Sequence, residues 1–482
     1  MQFNSFGFIL LFMPVTLLAY FLLNKAGKLA GKLVLIAASA VFYGYMDVKS
    51  LAVLVVSMAV NYLFAVLMRK RDTGRRLLAA VPIAVNICLL LLFKYLNFGI
   101  SNLNTFFGTE IALRNLILPV GLSFITFQQI AYVVAVYKGE LENVSLVDYA
   151  AFILYFPKIL MGPLTDPVDF ISQLNDQSLK RINWENVAFG LKIFCFGLFK
   201  KVIIADTFAA AVTWGFNNVS GATAMDWIVV TLSYTFEKYF DFSGYCDMAV
   251  GVSLMLNILL PINFDSPYKA ISIRDYWKRW HISLTRFFTK YIYFPLGGSR
   301  KGTFRTCLNV MIVFIISGIW HGANWTFILW GLLHGLFLVI DRLFDKTEER
   351  IFTPVRWGVT FSVLNILALL FRSNSISQWK SILKTMFGFQ SMNLSESLIT
   401  AFKIKETALF ENVLHLQYFT KNVRGFWPLV FLAAAFAICL IPQNNYRNLR
   451  KISAVSMIAA AVAFIWSFIC LGGESVFVYF NF

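Results

Sequence analysis

The sequence predicts an all-α, polytopic membrane protein. Of its 482 residues, 59% are hydrophobic and only 14% are charged, with a mean hydropathy of +0.69. A soluble globular domain carries roughly 25% charged residues. The apolar residues come in long runs, such as Phe6 to Leu23 and Trp325 to Ile340. In hydrocarbon every backbone N–H and C=O must be satisfied within the segment, so such runs are helices. The 42 Lys and Arg outweigh the 25 Asp and Glu by a formal +17, and they fall in short clusters between the runs. Topology and anionic lipid headgroups account for bases placed this way, and no nucleic-acid partner is expected.

Taken in order, candidate spans fall near 6–23, 33–46, 51–68, 77–93, 116–137, 147–161, 187–214, 226–240, 246–262, 307–319, 325–341, 357–371, 427–442 and 453–471. Several are too short to cross fully, so the expectation is about 11–14 transmembrane or re-entrant helices. The first run has no basic residue before it and no small-residue cleavage motif, which reads as a retained span. No repeat or low-complexity linker divides the chain, so residues 1–482 read as one membrane domain. Its core is 1–380, a polar segment occupies about 388–426, and the last helices and tail occupy 427–482.

The basic clusters Lys25, Lys28 and Lys32, then Arg69, Lys70, Arg71, Arg75 and Arg76, are separated by two spans. Both are cytoplasmic if the N-terminus is outside. Arg447, Arg450 and Lys451 precede the last span, which places the tail outside, along with the polar segment. The six cysteines form no C-x-x-C pair and read as small buried hydrophobes, not as a metal site or a disulfide framework.

Polar groups at bilayer depth are costly and mark functional candidates. The stretch Phe240 to Gly251, FDFSGYCDMAVG, sets Asp241, Ser243, Tyr245 and Asp247 in apolar sequence. It reads either as the polar lining of a substrate path or as a satisfied knot between helices. Ser272 to Lys290, SIRDYWKRWHISLTRFFTK, reads as one amphipathic basic helix at the cytoplasmic interface. Trp277, His281, Leu284 and Phe288 share a face of it. With Arg300 and Lys301 in PLGGSRKGTFR, the bases Arg274, Lys278 and Arg279 make either a headgroup anchor or a basic mouth for an anionic donor. The glycines there form no Walker or dinucleotide motif.

Among the four histidines, His415 reads as surface and His334 either as a packed, hydrogen-bonded residue or as facing the same cavity as His321. His281, flanked by Trp280 and Ile282, either pairs with Asp275 or Asp241 or joins a site. His321, in SGIWHGANW, lies between two apolar runs with no charge from Arg305 to Asp341. Gly318 and Gly322 permit close approach of a helix or ligand, and Asn324 offers a neutral donor and acceptor. A neutral imidazole there suits a general base acting on a hydroxyl, and no Cys–His or Ser–His–Asp pattern supplies a protein nucleophile.

These residues, together with FNSFGFILLFMPVTLLAY, LLFKYLNFGI, LPVGLSFITFQQIAYVVAVYKG, FPKILMGPL, FGLFKKVIIADT, NFDSPYKAISIRDYWKRWHISLTRF and FRSNSISQW, resemble the membrane-bound O-acyltransferase (MBOAT) family. The branch resembled is that of the bacterial alginate O-acetylases, over about residues 1–380. The resemblance implies tilted helices around a central tunnel and acyl transfer across the bilayer. His321 would be the catalytic histidine and His281 the second characteristic one. No cofactor is expected to be bound; acetyl-CoA, or another acyl-CoA or acyl-carrier thioester, would be the co-substrate. Asn324 or a backbone N–H near Gly322 would stabilise the oxyanion, and Arg274, Lys278, Arg279, Arg300 and Lys301 would receive the donor.

The ending FVYFNF resembles an F-x-Y-x-x-F tail whose tyrosine relays the acyl group, here Tyr479; the alternative reading is an interfacial aromatic belt. The resemblance further implies membrane lipids, an extracytoplasmic SGNH-type transferase and a polysaccharide or cell-wall acceptor as partners, in a bacterial plasma or inner membrane. Transfer of D-alanine to teichoic acid from a carrier protein is the near alternative. A lipid or polysaccharide transporter is the distant one, and it predicts a symmetry of halves that the sequence lacks.

Overall fold

The computed structural model describes residues 1–71, 73–344, 351–389, 391–442, 444, 447, 452–472 and 477, with only the backbone at 405, 406 and 410. The chain forms two compact units interleaved in sequence. One comprises Met1–Leu198, Tyr245–Ile262 and Leu449–Ile465; the other comprises Phe199–Gly244, Asn263–Asn448 and Trp466–Phe482.

The helices run α1 (Met13–Ala26), α2 (Lys28–Gly44), α3 (Val48–Lys70), α4 (Arg75–Leu90), α5 (Leu96–Phe107), α6 (Leu122–Tyr137), α7 (Leu146–Leu154), α8 (Pro167–Asn175), α9 (Trp184–Phe199), α10 (Asp206–Asn217), α11 (Ala224–Met255), α12 (Ile273–Arg279), α13 (Ile282–Phe288), α14 (Gly302–His321) and α15 (Trp325–Leu343). Thr353–Arg372, Ile376–Gly388, Phe426–Leu440 and Ala454–Ile469 follow, with short helices between the second and third of these. Six helical stretches among the described residues are long and apolar enough to cross a membrane: Phe8–Ala26, Val48–Lys70, Arg75–Phe107, Gly302–His321, Trp325–Leu343 and Thr353–Arg372. The protein is a multi-pass, all-helical membrane protein.

In the first unit, several buried polar groups pair with one another across helices, the kind of internal satisfaction that hydrocarbon favours. Lys32 reaches Asp148 at 2.5 Å and Asn175 at 2.6 Å. Asn61 and Asn86 bond one another at 2.8 Å, and Ser57 bonds Gln129 at 2.9 Å. The helix expected over 147–161 stops at Leu154. Pro157 explains the stop, because the residue before a proline leaves the α region. The segment FPKILMG that follows is non-helical yet buried, which is tolerated at depth only when protein surrounds it.

Two expected spans, 226–240 and 246–262, are replaced by the single 32-residue helix α11. The polar stretch between them contains no proline, so nothing breaks the hydrogen-bond ladder there. The cysteines depart from the uniformly buried expectation: Cys246 and Cys439 are buried, Cys195, Cys307 and Cys470 half-buried, and Cys88 exposed on α4. On an apolar span, exposure means contact with lipid, which a thiol tolerates as a small hydrophobe.

Candidate active site

The second unit holds the corner between α14 and α15. These helices pack along glycines: a Cβ at Gly318 would collide with the Phe327 carbonyl oxygen, and one at Gly331 with that of Phe314. Close backbone approach of this kind is the usual way helices associate in lipid. His321 is the last residue of α14; Gly322 turns the chain to an extended conformation, and Asn324 caps α15. The His321 ring is 5% exposed, with its centroid 4.9 Å from Trp320, 5.1 Å from Trp330 and 5.2 Å from Phe371. A Cβ at Gly322 would strike the Phe327 ring, so this turn leaves no room for a side chain.

The sequence reading of one continuous amphipathic helix over 272–290 is corrected. The helix breaks into α12 and α13 at Trp280 and His281, and His281 takes a left-handed φ of 46°. The cause lies in the preceding segment NFDSP. Phe264 pairs with Trp280 in an antiparallel bridge, Asp265 N–H donates to the Arg279 carbonyl at 3.0 Å, and Ile282 N–H donates to Asn263 at 3.0 Å. Asn263 also accepts from the Ser283 hydroxyl at 2.6 Å. The His281 ring is thereby buried, edge-on to Phe242 at 4.8 Å. It lies outside the six spans, and burial pushes its imidazole down to about 3.

Between α12, α13, α14 and α15 lies a cavity of about 270 Å³. Its apolar wall includes Trp277, Leu284, Phe288, Val313 and Phe314, and its cations are Arg274, Lys278 and Arg342. Lys278 and Arg342 are exposed, whereas Trp277, Leu284 and Phe288 are buried, so the charged side faces outward. Arg274 is set by Asp341, which accepts its backbone N–H at 2.8 Å. Ser317 lines the cavity and precedes His321 by one helical turn, which places both on one face of α14. Trp277 donates to His334 Nδ1 at 3.2 Å and lies 5.8 Å from Trp330, the ring packed against His321.

Comparison with known proteins gives the family. The model of the family described as MBOAT, membrane-bound O-acyltransferase, matches residues 35–372. The chain belongs to that family. A peptidoglycan O-acetyltransferase of Helicobacter pylori is 36% identical over 518 aligned positions, covering 100% of this chain and 97% of the relative. A probable alginate O-acetylase of Pseudomonas aeruginosa is 37% identical, covering 82% and 76%. A teichoic acid D-alanyltransferase of Streptococcus thermophilus is 28% identical over 48% of this chain and 59% of its own length.

As an MBOAT member the chain is an acyltransferase, and a transporter is set aside. Of the five bases expected to receive the donor, Arg274 and Lys278 line the cavity. Arg279 instead binds Asp275, one helical turn before it, at 2.8 Å. Arg300 and Lys301 are exposed and lie outside the lining. Arg342, which the sequence reading passed over, also lines the cavity; its signal was its position as the first cation after the run Trp325–Ile340.

Asn324 is engaged as a cap: its side-chain oxygen accepts from Thr326 N–H at 3.0 Å, and its amide donates to the Asn374 carbonyl at 2.9 Å. Asp241 binds Lys201 at 2.7 Å, and Ser243 is buried in the same unit. Tyr245 and Asp247 belong to the first unit, where the Tyr245 ring stacks on Phe3 at 5.0 Å. Tyr479, Arg450 and Lys451 lie outside the described residues.

Proposed function

We propose that this chain transfers an acetyl group from a cytoplasmic thioester, acetyl-CoA, toward hydroxyls of an extracytoplasmic polysaccharide or cell-wall polymer. The setting is a bacterial plasma or inner membrane. The observation that carries this reading is the cavity lined by three cations, two of them exposed, whose apolar wall runs to Ser317, one turn from His321. Cations suit the donor's phosphates.

Sidedness supports the assignment. Arg447, from the basic loop before the last span, binds Asp265 at 2.5 Å, and Lys269 reaches the Pro442 carbonyl at 2.8 Å. The segment that carries α12 therefore sits with a basic loop, which favours the cytoplasmic side.

In this reading His321 takes the proton of the acceptor hydroxyl as its oxygen attacks the thioester carbonyl. The C–S bond then breaks, and the proton passes on to the leaving thiolate. With the Asn324 side chain held in its cap, backbone N–H groups around Gly322 are the proposed oxyanion donors. His281 remains the second histidine of the proposed site. Tyr479 is the proposed relay, handing the acetyl group to an SGNH-type partner.

Acetyl is preferred because the relative aligned over the whole chain is called an O-acetyltransferase, whereas the D-alanyltransferase aligns with about half of it. The test incubates purified protein with labelled acetyl-CoA or with a D-alanyl-loaded carrier protein, and follows label into Tyr479 and into added polymer. Label arriving only from the carrier would make it a D-alanyltransferase. No transfer from either donor would end the proposal.

A further inference from the structure

The turn between α9 and α10 holds a group of side chains that the reaction above does not use. The helix widens there into a π-type turn, Lys200–Ala205, a distortion that is rare and often functional. Lys201 is buried in it, 2.7 Å from Asp241 and 2.9 Å from Asp206. The face of the Phe477 ring stands over the Lys201 ammonium, with its centroid 4.6 Å away, and Phe477 is 0% exposed. The same turn receives a second residue from the end of the chain: Trp466 packs edge-on against Phe199 at 5.5 Å.

We propose that the Phe199–Asp206 turn is a docking seat for the chain's own C-terminal segment, with Phe477 as the anchor that positions Tyr479 two residues later. Two carboxylates hold the Lys201 ammonium in place. Its charge then attracts the electron-rich face of an aromatic ring, which an aliphatic side chain lacks. Trp466 and Phe477, eleven positions apart in sequence, grip the turn at both ends of the stretch between them. Phe477 and Lys201 are positioning residues, and the purpose of the anchor rests on the relay reading above.

The test uses the full-length protein in detergent. A photoreactive phenylalanine analogue placed at 477 should cross-link to the peptide carrying 199–206 or to that carrying Asp241. Phe477→Leu keeps an apolar side chain but loses the ring. It should speed carboxypeptidase release of Tyr479 by roughly 2- to 30-fold, the range of a cation–π contact. The variant should keep its melting temperature, while label on Tyr479 falls.

Faster release in a protein that never labels Tyr479 would leave the docking seat intact and remove the relay. Unchanged release in Phe477→Leu, with cross-links that avoid both peptides, would overturn the docking seat.

Discussion

The replacement of His321 separates chemistry from packing in a way the structure makes quantitative. His321→Ala removes a ring in contact with Trp320, Trp330 and Phe371 at 4.9 to 5.2 Å. Aromatic pairs contribute roughly 0.5–1.5 kcal/mol each, so the alanine variant loses about 1.5–4.5 kcal/mol of stability as well as its base. A loss of activity in that variant alone would be ambiguous. His321→Phe keeps an aromatic ring against all three neighbours, with a somewhat larger ring whose overpacking costs about 1–3 kcal/mol. It should remain folded, with a melting temperature measured beside the parent's, while acyl transfer falls ~10²–10⁴-fold, the contribution of a positioned general base. The assay is transfer of label from acetyl-CoA to a hydroxyl acceptor, with thermal unfolding in detergent measured on the same preparations. A His321→Phe protein that transfers acetyl groups at the parent rate would refute the base assignment.

Three further outcomes are expected. Lys278→Ala and Arg342→Ala should each raise the KM for the thioester by ~10-fold or more, since a hydrogen bond to a charged group contributes about 1.5–3 kcal/mol; Arg279→Ala, held by Asp275, should change KM by less than about 2-fold. Asn324→Ala should cost about 1 kcal/mol as a lost cap with kcat nearly unchanged; a fall of ~10²–10³ in kcat would instead make its side chain the oxyanion donor. His281 titrates at about 3 in the fold against an ordinary 6.5, so below pH 6.5 the unfolded chain binds a proton that the folded one refuses. Stability contributed by His281 is thus complete above pH 6.5 and is lost progressively toward pH 3; melting curves from pH 7 to 4 should show a shallower decline for His281→Gln than for the parent.

Much of the site was legible because its residues are costly where they stand. An imidazole between two long apolar runs, flanked by glycines, identified the α14–α15 corner without coordinates. The cations were less legible. Helical periodicity put Arg274 and Lys278 on one face and Arg279 on another of a helix read as unbroken, but a long-range pairing with Asn263 to Asp265 breaks that helix at His281. Within α12, Arg279 pairs with Asp275 one turn before it, while Arg274 and Lys278 line the cavity.

By itself the sequence determined the helical, membrane-spanning character of the chain, its basic clusters, and the histidine that stands out against hydrocarbon. These follow from composition and local order, because the bilayer penalises each unsatisfied group wherever it lies. Only the tertiary structure decided that Arg342 joins Lys278, that Asn324 is spent as a cap, that α11 runs unbroken through its polar stretch, and that Phe477 meets Lys201. Each of these depends on a partner distant in sequence, and the sequence's local periodicity carries no record of which partner that will be.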